Sequence, residues 1–408
     1  MLNWANQFNI CCFLDSHGYN QKFHSYECLL GVGSKAVFSP QKNILNELRL
    51  FNSRHTDWLF GHFNYDLKNE IEHLTSDGTN HTGFPDTFLF QPLIVIELKA
   101  QTATILSLEE HPLKIFEAIN AHTHGNGIGQ PKNMAIQPRL SKEKYINILN
   151  KLKEHILRGD CYEINFCQEF FAENAQIEPL QVYQHLSEIS PAPFSCFYKL
   201  HDKFLLCASP ERYIKKTGND IISQPIKGTE RRNTNDALED EALKASLINS
   251  EKDKSENVMV VDLVRNDLSK ICKEGTVEVD ELFGIYSFPQ VHQMISTVKG
   301  ELQDGVGLAE ILQATFPMGS MTGAPKKSVM ELIERYEPTR RGIFSGAVGY
   351  ITPGKDLDFN VVIRSIMYNA ENKYLNYLVG SGITFYSDPE KEYEECLLKA
   401  AAIEKVLL

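Results

Sequence analysis

No Cys-x-x-Cys pair and no Cys/His spacing suited to zinc occurs among the nine cysteines of this 408-residue chain. Cys11 and Cys12 adjoin and cannot easily bridge each other. An odd count without such spacing argues against a disulfide framework and for reduced thiols in a cytoplasmic protein. No apolar run approaches the length of a membrane span, and the first residues, Met1-Leu2-Asn3-Trp4, lack the basic start and apolar run of a signal peptide. Positive charge is also short: 41 Lys and Arg face 53 Asp and Glu, a net charge of -12. That balance argues against nucleic-acid and anionic-membrane partners. Short-period repeats and low-complexity tracts are missing. Gly319 to Ser328 comes nearest to a nucleotide loop, but its spacing fails Gly-x4-Gly-Lys-Ser/Thr and Pro325 precedes the lysine pair, which excludes an ATPase reading. Gly31-Val32-Gly33 lacks the rest of a dinucleotide fingerprint.

What is present is a chain with 42% apolar residues, enough for a substantial core. Residues 1–125 read as short strands and a few helices. The segment His122 to Pro138, with Gly125, Gly127, Gly129 and Pro131, is the expected boundary before a second region, 140–403. There Ser141 caps a helix whose Tyr145, Leu149, Leu152 and Ile156 recur at helical spacing until Gly159. Residues 160–230 read mostly as strands and 235–270 as helix. Strands return at 345–351, 358–368 and 374–379. A final helix starts at Asp388-Pro389, an N-cap followed by a proline. The pattern predicts an α/β or α+β fold with a large, mostly antiparallel sheet.

Lys227 stands out locally. It follows the strand-like Asp220-Ile221-Ile222-Ser223 and lies between Pro225-Ile226 and Gly228. Such a lysine is either a desolvated, nucleophilic amine or a strand-end side chain reaching water. In the last helix, the apolar stripe Cys396, Ala400, Ile403, Leu407 extends backward onto Glu392, with Glu395 beside it. Those acids suit either metal binding or the helix dipole. Glu256 shares a helical face with Met259, Val260 and Leu263, so it needs a salt bridge or a metal. Oxygen ligands from two helices fit Mg²⁺. Gly380-Ser381-Gly382 reads as a turn, plain or anion-binding. Arg364 falls in a strand-like run on one face with Val362 and Ile366 and requires a carboxylate, from the protein or a substrate. Arg231 and Arg232 read as surface charge.

Taken together, these segments resemble the chorismate-utilising enzyme family. The matching stretches run in order from Gly159-Asp160-Cys161-Tyr162-Glu163-Ile164-Asn165 through Ala208-Ser209-Pro210-Glu211-Arg212, Pro225-Ile226-Lys227-Gly228-Thr229, Asp253 to Asn257, Asp262 to Asp267, Thr322-Gly323-Ala324-Pro325-Lys326, Ser345 to Tyr350, Asn360 to Arg364 and Gly380-Ser381-Gly382 to Glu392–Lys399. The resemblance implies an α/β/β/α arrangement with two packed, mostly antiparallel sheets, forming one catalytic unit. It implies Mg²⁺ on Glu256 and Glu395, with Glu392 nearby, holding the ring carboxylate of chorismate. Arg364 and Tyr350 would hold the enolpyruvyl carboxylate, helped by N–H groups near Gly380 and Gly382. Gly228, Thr229 and Thr322 would line the ring site, and Glu211 would be the general acid at the C4 hydroxyl.

Within the family, the lysine of Pro-Ile-Lys-Gly-Thr marks members that aminate chorismate at C4, toward para-aminobenzoate and folate. It implies a covalent route in which neutral Lys227 attacks C2 and ammonia then displaces it by attack at C4. Members that add water carry a lysine where this chain has Glu163, and aminating members usually have glutamine there. Gln293 stands where pyruvate-releasing members have histidine. No glutaminase segment is present, so the resemblance implies ammonia from a separate glutaminase subunit. The alternatives are the C2-aminating anthranilate synthases and a non-catalytic body that docks a glutaminase. Phe13 to Ser16 and Ser190 to Phe194 faintly resemble the family's tryptophan pocket, and equally suit plain strand and turn packing.

Overall fold

Alternation along the strand Ile10–Asp15 sets the layering. Cys12 and Leu14 enter a core shared with Phe60, Leu205 and Ile214, while Cys11 and Phe13 enter another shared with Leu149, Leu186 and Ile403. A strand buried on both faces needs a layer on each side. A computed structural model, describing residues 1–19, 22–122 and 134–407, supplies those layers. The expected boundary around Gly125, Gly127, Gly129 and Pro131 lies outside the described residues.

Two antiparallel sheets, of 11 and 10 strands among the described residues, pack face to face with helices outside. The first runs in the order Gly323–Ala324, Glu163–Ala172, Tyr374–Ile383, Ser365–Asn369, Lys203–Ser209, Phe194–Leu200, Ile10–Asp15, Cys28–Val32, Ile94–Lys99, Thr102–Ser107. The second runs Ile226–Arg231, Val291–Glu301, Asp220–Gln224, Arg212–Thr217, Leu357–Asn360, Ala347–Ile351, Leu59–Phe63, Thr87–Gln91, Ala36–Phe38. Strands from the first 125 residues thus extend both sheets. The helix Lys142–Arg158 begins and ends as expected: the Ser141 hydroxyl accepts the Lys144 N–H, and Gly159 is left-handed at φ 86°. Asp388 caps the helix Pro389–Leu407 by accepting the Glu390 and Lys391 N–H groups.

The structure revises three expectations. Residues 235–270 form two helices, Ala237–Asn249 and Glu251–Ser269, broken at Ser250, whose hydroxyl caps the second. The run 358–368 is not one strand. Leu357–Asn360 belongs to the second sheet and Ser365–Asn369 to the first, and residues 361–364 carry the chain between them. Arg364 lies in that crossing at φ 50°, so strand alternation does not set its direction. Gly380-Ser381-Gly382 is no turn either: it continues the strand Tyr374–Ile383, with Gly380 opposite Cys167 and Gly382 opposite Asn165.

Candidate active site

Lys227 is aimed by a bulge. Ile226 pairs with Ile295 and Thr229 with Gln293, so three steps on the edge strand oppose two on its neighbour. The extra residue sits at Lys227-Gly228, and Gly228 takes φ 93°. Asn257, from the helix Glu251–Ser269, donates to the Lys227 carbonyl at 3.3 Å and accepts the Ser296 hydroxyl at 2.6 Å. Asn257 therefore satisfies backbone that the bulge leaves unpaired.

The Lys227 side chain is 10% exposed, and its ammonium donates to Glu163 Oε1 at 2.5 Å. Glu163 comes from the other sheet, two residues before Asn165, the partner of Gly382. A Cβ built at Gly382 would stand 2.9 Å from both Glu163 Oε1 and Lys227 Nζ, and 3.7 Å from Glu256 Oε2. Glycine there leaves room for the pair. Burial alone would lower the Lys227 pKa. Glu163, Glu256 and Glu211 outweigh it and hold the pKa above the ordinary lysine value. The expected neutral amine is thus an ammonium in the resting site.

Glu211 and Arg364 enter where the chain twice passes between sheets. Pro210-Glu211 joins Lys203–Ser209 to Arg212–Thr217, beside the 361–364 crossing. The Val361 N–H donates to the Glu211 carbonyl at 3.0 Å, and the Ala208 N–H donates to the Arg364 carbonyl at 3.2 Å. Glu211 is buried, and desolvation raises its pKa to about 7 against the opposing pull of Lys227 and Arg364. It can therefore hold a proton near neutrality, as a general acid requires. The Arg364 guanidinium makes no ion pair among the described residues and is free to bind an anion.

Glu256 and Glu392 are both buried. Lys252 lies between them, its Nζ 3.9 Å from Glu256 Oε1 and 4.0 Å from Glu392 Oε1, too far to hydrogen-bond either. Glu256 Oε1 is buried without a hydrogen-bond partner. Desolvation first, with the Glu163 and Asp253 charges, raises the Glu256 pKa to about 7. An orphaned carboxylate oxygen amid surplus negative charge fits a hard divalent cation. Among the described residues no three acids, cysteines or histidines converge as a complete metal cage. Mg²⁺ tolerates that, because it keeps waters and takes oxygens from an anionic ligand. Glu395 is 46% exposed and pairs with Lys399 at 2.6 Å.

Other expected residues are placed differently. Tyr350 is not brought to Arg364: its ring packs on Tyr26, Trp58 and Phe60, five strands from Lys227 in the same sheet. Thr322 is fully buried, and its hydroxyl donates to the Met318 carbonyl at 3.1 Å. It shapes the backbone beside Glu163, since its carbonyl accepts the Asn165 N–H at 2.7 Å. Thr229 is exposed on the edge strand, opposite Gln293, whose buried Oε1 has no partner. Gly380 faces Cys167 and Asn165 rather than Lys227. Arg232 is not free surface charge, because it grips Asp240, which also pairs with His292 at 3.2 Å. Lys326 is committed to Asp267, which removes the last likeness to a nucleotide loop. Leu14, Asp15, Pro193 and Phe194 do meet, around a cavity of about 10 Å³, room for one water molecule. The sequence reading missed Lys252 and Asn257. Asn257 was findable from Glu256-Asn257 flanking an inward helical face.

Residues 10–405 match the family model described as chorismate binding enzyme. The chain belongs to this family. Members similar to it include an anthranilate synthase component I-like protein of Synechocystis, 34% identical over 86% of this chain and 72% of that one. Aminodeoxychorismate synthase component 1 of Bacillus subtilis is 38% identical over 65% of this chain and 56% of that one, so the match spans just over half of that relative's length. In fold, the chorismate binding enzyme described here resembles anthranilate synthase component I from Streptococcus pneumoniae, with a TM-score of 0.81 over 95% of this chain and 94% of that one at 22% identity. The α+β architecture with two mostly antiparallel sheets is therefore that of anthranilate synthase component I. The chain is related to both anthranilate and aminodeoxychorismate synthases.

Proposed function

We propose that this chorismate binding enzyme aminates chorismate at C4, giving 4-amino-4-deoxychorismate for para-aminobenzoate and folate synthesis. Its ammonia comes from a separate glutaminase subunit, and it works in the cytoplasm. The observation that carries this reading is the grouping of Lys227 with Glu163 and Glu256 at Gly382, close enough to Glu211 to feel its charge, while Glu211 also feels the charge of Arg364.

Arg364 binds the enolpyruvyl carboxylate, and Gly228, Thr229 and the backbone near Gly382 border the ring. Glu256, Glu392 and Glu395 would hold Mg²⁺, and the ion would supply positive charge for the ring carboxylate. Lys227, once neutral, forms a bond from Nζ to C2. Glu211 gives its proton to the C4 hydroxyl, which leaves as water. Ammonia then bonds to C4 as the bond from Nζ to C2 breaks. Gln293 offers no imidazole to remove a proton for pyruvate release, which disfavours an anthranilate product.

Mass-resolved product analysis with chorismate, ammonium and Mg²⁺ tests the proposal. A C4-aminated, pyruvate-retaining product is expected. An aromatic product with free pyruvate makes the protein an anthranilate synthase. A protein that consumes no chorismate under these conditions is a docking body.

A further inference from the structure

The resting ion pair poses a chemical problem: an ammonium cannot attack carbon. Resting on the C4-amination reading, we propose that Glu163 is a catalytic residue that takes a proton from Lys227 before attack and returns it after Lys227 departs.

The geometry places donor and acceptor for this exchange. Glu163 Oε1 and Lys227 Nζ are 2.5 Å apart, from strands in opposite sheets, and both would abut a Cβ at Gly382. Glu163 is 2% exposed. The other charged groups facing Lys227 are Glu256 from the helix Glu251–Ser269, Glu211 from the sheet crossing and Glu395 from the helix Pro389–Leu407. Neither Glu256 nor Glu211 lies within ion-pair distance of the Lys227 nitrogen among the described residues, so Glu163 alone is placed to accept directly. Substrate bound against the pair expels water and removes the solvation that favours separated charges. A carboxylic acid beside a neutral amine then becomes competitive with the ion pair.

The protons balance. Transfer gives neutral Lys227 and protonated Glu163. Attack forms the bond from nitrogen to C2, the ring double bonds shift, and the C4–oxygen bond breaks as Glu211 protonates the departing hydroxyl. Ammonia bonds to C4, and Lys227 leaves C2 as a neutral amine. Glu163 returns its proton to Lys227, and the new C4 ammonium reprotonates Glu211. The net change is chorismate and ammonia in, amino product and water out. Glutamine at position 163 holds no exchangeable proton of this kind, so Glu163 makes Lys227 independent of bulk base.

The experiment compares wild type, Glu163→Gln and Glu163→Asp, each in full-length protein. Ammonium-dependent turnover of chorismate is followed from pH 6 to 9 at fixed Mg²⁺. In parallel, acetic anhydride labelling of Lys227 is quantified by mass spectrometry without chorismate. Wild type should lack a basic limb assignable to Lys227. Glu163→Gln should gain one, with turnover at pH 6.5 reduced at least about 10-fold and partly recovering as pH rises. It should also label Lys227 at least about 10-fold faster at pH 8, because the lysine has lost its counter-charge. Glu163→Asp should restore the wild-type profile in part. A Glu163→Gln enzyme with wild-type turnover and an unchanged profile overturns the proposal, as does unchanged labelling. Absence of C4 amination in wild type itself defeats the functional reading instead, and the labelling comparison still decides whether Glu163 governs the lysine's proton.

Discussion

A methyl group on Gly382 would meet Lys227 Nζ at 2.9 Å. Glycine at 382 is therefore a condition for Lys227 and Glu163 to meet where they do. Both clashing atoms are tips of side chains, so the fold can yield while the site cannot. Gly382→Ala should cost about 1 kcal/mol in stability, the low end for an added methyl, yet lower kcat/KM by about 10²-fold, the scale of an ångström-level misplacement. Thermal unfolding and steady-state kinetics on the same preparation check this. A fully active Gly382→Ala protein would show that the placement of this pair does not govern turnover.

Glu211 must be protonated to act as the acid, and its pKa is raised to about 7 by burial. The kcat/KM for chorismate should therefore fall as pH rises through about 7. Glu211→Gln should abolish that limb and lower kcat by about 10²- to 10⁴-fold. A limb that persists in Glu211→Gln assigns it to another group.

Metal-free stability carries a related sign. Glu256 has a folded pKa of about 7, above the 4.5 ordinary for glutamate. Between those values the folded state binds more protons than the unfolded state, so stability from this group is present at low pH and is lost as pH rises through 7. The loss is on the order of 3 kcal/mol at most. Mg²⁺ offsets it by binding the carboxylate form. The rise in Tm on adding Mg²⁺ should then be larger at pH 8 than at pH 6, and Glu256→Gln should abolish the difference. Equal Mg²⁺ shifts in wild type and variant would remove Glu256 from the metal site.

Arg364 owes its place to a left-handed residue at a sheet crossing, and its guanidinium is unpaired among the described residues. Arg364→Lys keeps the charge and loses the planar fork. Losing one charge-assisted hydrogen bond, about 1.5–3 kcal/mol, raises the KM for chorismate by about 10- to 150-fold. An unchanged KM would place the substrate carboxylate elsewhere.

Local signals in the sequence carried the helices well. Ser141, Gly159 and Asp388 mark ends that depend on neighbouring residues alone, and the inward face of Glu256 follows from helical period. Features that depend on distant partners were harder to read. Residues 358–368 look like one strand because both halves are buried; alternation does not show a change of sheet, and only the backbone of Arg364 reveals it. Gly380-Ser381-Gly382 resembles a turn because glycine is poor in strands, yet at Gly382 its missing Cβ leaves room for Lys227. The Lys227–Glu163 contact joins residues 64 positions apart across two sheets. Only the fold shows that the glutamate of one motif pairs with the lysine of another.

The decisive measurement is the product formed from chorismate, ammonium and Mg²⁺ by wild type and by Lys227→Ala, with Tm confirming that the variant folds. Wild type should yield a C4-aminated product without free pyruvate, and Lys227→Ala should lose that activity by about 10³-fold or more, the scale on which a catalytic group acts. A folded Lys227→Ala protein that still aminates C4 at the wild-type rate would contradict the covalent role of Lys227.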